Sequence, residues 1–62
     1  MPPSYIDILQ KVADGLRYAD IAAERGTTMQ TVKNQAQKIL ELLGADTISQ
    51  AVAMGLRRGL IS

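Results

Sequence analysis

A chain of 62 residues without cysteine or histidine has no disulfide and lacks the usual transition-metal ligands, and it lies near the smallest size that folds unaided. Its apolar residues are chiefly Ala, Leu, Ile, Val and Met with no Phe or Trp, a set that suits closely packed small helices and argues against a β-sandwich. The net charge is +1, no apolar run approaches the roughly 20 residues that cross a bilayer, and Met1-Pro2-Pro3-Ser4 lacks the regions of a secretory signal. The expectation is a single all-α domain over residues 1–62, cytoplasmic, without membrane contact, cofactor or metal.

Apolar spacings of three and four predict four helices broken at glycines. The first runs from about Ser4 to Asp14 and buries Tyr5, Ile8, Leu9 and Val12. Ser4, with Asp7 three residues on, resembles a capping arrangement at its start, and Gly15 ends it. The second, Tyr18 to Arg25, turns Ile21 and Ala22 inward, supported by Ala19 or Tyr18, and Gly26 closes it. Thr27-Thr28 offers a hydroxyl cap for a third helix that reaches Leu43. Val32, Ala36, Ile39, Leu40 and Leu43 form its inner stripe; Gln30, Lys33, Asn34, Gln37, Lys38 and Glu41 form its outer face. After Gly44, Thr47 and Gln50 match a capping box for a fourth helix to about Arg58, with Ile48, Ala51, Val52 and Leu56 inward and Gly59 as its stop. No linker, repeat or low-complexity tract interrupts the chain.

A short helix, a glycine-containing turn and a longer helix form the helix-turn-helix layout, although a plain structural hairpin has the same spacing. Charge adds to this. Asp7, Asp14, Asp20 and Glu24 collect in the first part, whereas Arg25 through Leu40 carries Arg25, Lys33 and Lys38 and no acid. Lysine can donate to guanine O6 and N7, and Asn or Gln can pair two-pronged with adenine, so Lys33, Asn34 and Gln37 are candidate base-reading residues. Thr28 and Thr31, near the start of the same helix, suit phosphate oxygens, with Lys38 and Arg17 as further phosphate contacts. The same polar residues on a helix with no such role would simply be solvated.

From Leu9 to Ile61 the chain resembles the LuxR/GerE-type helix-turn-helix domain, the DNA-binding half of many bacterial response regulators and quorum sensors. The resemblance rests on Ala13-Asp14-Gly15-Leu16, Asp20-Ile21-Ala22, Thr31-Val32-Lys33-Asn34, Ile39-Leu40-Glu41, Leu43-Gly44, Ala51-Val52-Ala53 and Gly59-Leu60-Ile61, in the family's spacing without a gap. It implies a four-helix domain whose third helix enters the major groove, with Lys33, Asn34 and Gln37 at the bases and Thr28 and Thr31 facing phosphates. It also implies a two-fold dimer through the fourth helix, involving Ala51, Met54, Gly55 and Arg58, that reads inverted half-sites about one helical turn apart.

The chain departs from that pattern in several places. Met1, Pro2, Ser4 and Tyr5 replace the usual Leu-Thr-Arg-Glu opening, and Tyr5 changes packing or surface there. Arg25 stands where a leucine is common, its stem expected to pack while its head reaches water or the DNA backbone. Thr27 replaces isoleucine or valine, and Gln35 replaces a histidine, so the operator does not carry over from relatives. Two functions compete: a dimeric regulator that binds double-stranded DNA, and a protein-interaction module of the same fold that contacts RNA polymerase, a sigma factor or another regulator. Tyr5, Tyr18 and the small net charge leave room for the second. An enzyme is not expected, since no glycine-rich phosphate loop occurs and the carboxylates are scattered. Met1 and the immediate first helix favour a small autonomous regulator over a fragment, its activity set by monomer–dimer mass action.

Overall fold

The computed structural model describes residues 1–62. Four α-helices and no strand make up the chain: α1 (Pro3–Ala13), α2 (Tyr18–Arg25), α3 (Met29–Leu43) and α4 (Ile48–Arg57). They enclose one core in a body of 29 × 20 × 19 Å. No single helix is long and apolar enough to cross a membrane.

The start of α1 differs from the expectation. Pro2, extended at φ −60° and ψ 144°, is its N-cap, and Pro3 opens the first turn, where its fixed φ suits the helix and its missing N–H has no partner to lose. Tyr5 N donates to Pro2 O at 3.0 Å, and no side chain caps the helix. The Ser4–Asp7 cap therefore does not form. Asp7 instead accepts from Lys11 Nζ at 2.8 Å and from Arg25 Nη1 at 3.0 Å, two full charges that outcompete an uncharged backbone N–H. The Arg25 head consequently reaches a carboxylate of α1, with only a quarter of the side chain exposed.

The other helix starts follow local rules. At α2, Asp20 Oδ2 accepts from the Arg17 backbone N–H at 3.0 Å, satisfying one otherwise unpaired donor. At α3, Thr31 N donates to Thr28 Oγ1 at 3.2 Å, and at α4 Gln50 N donates to Thr47 Oγ1 at 3.1 Å. The Gln50 side chain reaches one residue further back than a capping box requires, accepting from Asp46 N at 2.8 Å.

Ile8, Leu9, Ile21, Val32 and Ile39 are fully buried, and Ala22, Leu43, Ala51 and Ile61 complete the core cluster. Burying each large aliphatic side chain contributes about 1.5–3 kcal/mol before entropy is counted. α1 touches all three other helices, and α2 lies along α3. The inner stripe of α3 falls as its spacing predicts, with Leu40 at its half-buried edge.

The expected burial of Leu56 is overturned: it is 49% exposed, and Gly55 takes the interior position. The reason lies in the chain beyond α4. Leu60 N donates to Gly55 O at 2.9 Å, which turns Ile61 back into the core. Gln10 then holds Ser62 from both sides, its Nε2 donating to Ser62 O at 2.8 Å and its Oε1 accepting from Ser62 N at 2.9 Å. A Cβ at Gly55 would lie 2.9 Å from Leu9 Cδ2 and 3.2 Å from Ile61 Cγ1, so any larger residue would push these side chains aside where α1, α4 and Ile61 meet.

Candidate nucleic-acid interface

The turn between α2 and α3 sets the candidate surface. Gly26 adopts the left-handed conformation at φ 66°, a region that costs a side-chain-bearing residue energy and glycine none. Thr27 N then returns to Ala22 O at 3.0 Å, and Thr28 is already the cap of α3. Ala22, 5% exposed, keeps the approach of the two helices close.

Because Val32, Ala36, Ile39 and Leu43 face the interior, Lys33, Asn34 and Gln37 are forced outward, and all three are exposed. Lys33 makes no ion pair, so its charge is free for an external acceptor. Asn34 is not free: its Oδ1 accepts from Gln30 Nε2 at 3.0 Å. Thr28 and Thr31 stand exposed at the start of α3, sharing a hydroxyl–hydroxyl hydrogen bond of 3.0 Å. Lys38 lies 3.4 Å from Glu41 with most of its side chain in solvent, a pair too exposed to hold it firmly. Arg17, at the start of α2, is 86% exposed and only loosely paired with Asp20 at 3.6 Å.

The four residues expected at a dimer face do not share one surface. Ala51 is fully buried in the core and Gly55 is packed against Leu9 and Ile61, so neither reaches a partner without opening the domain. Met54 is half-buried against the core, and Arg58 is exposed. The resemblance implied Ala51 and Gly55 at a dimer face, whereas spacing already turned Ala51 inward; here the return of Ile61 covers the Gly55 side of α4. At its C-terminal end α4 presents Leu56 and Arg57 to solvent, and Leu42 of α3 is 58% exposed. Tyr5 and Tyr18 are half-buried against the core, which leaves less of each ring for a partner; burial pushes the Tyr18 phenol above its ordinary value. Gln35 is partly buried, and its Oε1 lacks a hydrogen-bond donor.

No family model matches the chain, and no solved structure matches it. Over 56 residues, 90% of this chain, it is 36% identical to a Bacillus subtilis (strain 168) protein named as an uncharacterized transcriptional regulatory protein, YxjL. The chain spans 26% of that protein's length. Over almost all of its four-helix domain, the chain is therefore similar to part of a transcriptional regulatory protein.

Proposed function

We propose that the chain is the DNA-binding domain of a transcription regulator of the LuxR/GerE type, with α3 in the major groove. The observation that carries this reading is the joint exposure of Lys33, Asn34 and Gln37 on a helix whose opposite stripe is buried and whose start is clamped by α2. The name of the similar Bacillus protein supports it. Lys33 and Gln37 reach base edges, and Asn34 joins them through its amide. Thr28, Thr31, Lys38 and Arg17 fix the register on phosphates, which carry no sequence information themselves. Two copies occupy inverted half-sites and meet through the outward side of α4, where Leu56, Arg57 and Arg58 are exposed.

The exposed leucines also favour a second reading, in which the domain acts by docking on a protein of the transcription machinery. Selection from random duplex DNA separates the two. A DNA reader yields a two-fold symmetric consensus, and its log affinity falls linearly with log salt. Replacing Lys33 by Ala then costs roughly 1–3 kcal/mol and relaxes preference at one base pair of each half-site. If the wild type binds no duplex even at low salt, the docking reading replaces this one.

A further inference from the structure

We infer that Gln30 is a positioning residue that sets which edge of the Asn34 amide faces the DNA, an inference that rests on the reading of α3 as the recognition helix. An asparagine amide carries one oxygen that accepts and one nitrogen that donates twice. A two-pronged contact with adenine uses both, oxygen toward N6 and nitrogen toward N7, with the amide plane edge-on to the base. In this domain Asn34 Oδ1 already accepts from Gln30 Nε2 at 3.0 Å, one helical turn back. That bond uses one of the oxygen's two lone pairs and draws the oxygen along the helix toward Gln30, while both Nδ2 hydrogens remain for outside acceptors. Asn34 so held presents donors, which match guanine O6 and N7 or thymine O4 better than the mixed edge of adenine.

Gln30 is suited to this role by its place. It lies in the first turn of α3, exposed and on the same outward side as Asn34, with no other side-chain partner. An exposed amide pair is weak by itself, but closure of a groove over it removes the competing water and strengthens the bias. The two residues would then act on the DNA as one unit, and the base preferred at the Asn34 position would depend on a neighbour that reads no base itself.

The test is the base preference of wild type, Gln30→Met and Gln30→Ala, each measured by selection on randomised duplex and repeated in an Asn34→Ala background. Gln30→Met keeps the length of the side chain and removes the amide. With the restraint gone, Asn34 can turn its mixed edge outward, and preference at its one base pair shifts toward adenine by about three- to tenfold. The shift is absent when Asn34 is Ala. Unchanged preferences in both Gln30 variants, alongside a wild type that binds DNA, overturn the positioning role and leave the recognition helix standing. A shift that persists without Asn34 also overturns it, since Gln30 would then read the base directly. A wild type that binds no duplex removes the recognition-helix reading and this inference together.

Discussion

The Asp7 carboxylate receives Lys11 Nζ at 2.8 Å and Arg25 Nη1 at 3.0 Å, so one acid ties a turn of α1 to the end of α2. The hydrogen bond from Lys11, aided by the charges of Lys11 and Arg25 and opposed by desolvation, holds its carboxyl below the ordinary carboxylate value. A carboxyl whose folded value is depressed stabilises the fold above its unfolded value, and that contribution disappears as pH falls through the folded one. Asp7→Asn is therefore expected to cost about 0.5–1 kcal/mol at pH 7, a small figure because the group is half-exposed. Urea denaturation of both proteins should show the difference shrinking as pH falls below the ordinary aspartate range; a gap that stays constant there would contradict the assignment. The Lys11 partner was legible at a spacing of four, but Arg25 is 18 residues away, and no local pattern announces it. Lys33 behaves differently: its exposure followed from the stripe of α3 alone, since a residue beside Val32 has nowhere else to point.

Among the elements, α3 was the easiest to read and α4 the hardest. The boundaries of α3 follow from a hydroxyl cap three residues before the donor it satisfies and a glycine just past its end, both local signals. In α4 the cap at Thr47 and the inward Ile48, Ala51 and Val52 were equally plain, yet the exchange of Leu56 for Gly55 at the inner face was not. Leu56 has the larger apolar area, and transfer energy alone would bury it. Gly55 is inside because Leu9 and Ile61 fill the space its missing side chain leaves, and their burial exceeds what Leu56 would add. Gly55→Ala weighs two opposed terms. Alanine improves helix propensity by up to about 1 kcal/mol, while overpacking in a closed core costs about 1–3 kcal/mol. The expected outcome is a net loss near 1 kcal/mol in thermal or urea unfolding, and a stabilised variant would show that Leu9 and Ile61 yield more readily than their burial suggests.

At the scale of the whole molecule, a domain this small has little stability to spare, and association with DNA or a second copy adds to it by mass action. If α4 forms the dimer face, Leu56→Lys should leave the melting temperature of the free protomer nearly unchanged, because half of that side chain is already in water. It should weaken binding of the second protomer to an inverted site about tenfold or more, read by sedimentation with labelled duplex. Equal occupancy by both proteins would move the interface away from α4. The sequence by itself determined the four helices, most of their caps and the outward face of α3, because these depend on residues within one or two turns of each other. Only the tertiary structure decided the Asp7–Arg25 pair, the clasp of Gln10 on Ser62 and the inward place of Gly55 instead of Leu56. Those depend on groups 18 to 52 residues apart, which meet only once the helices have packed.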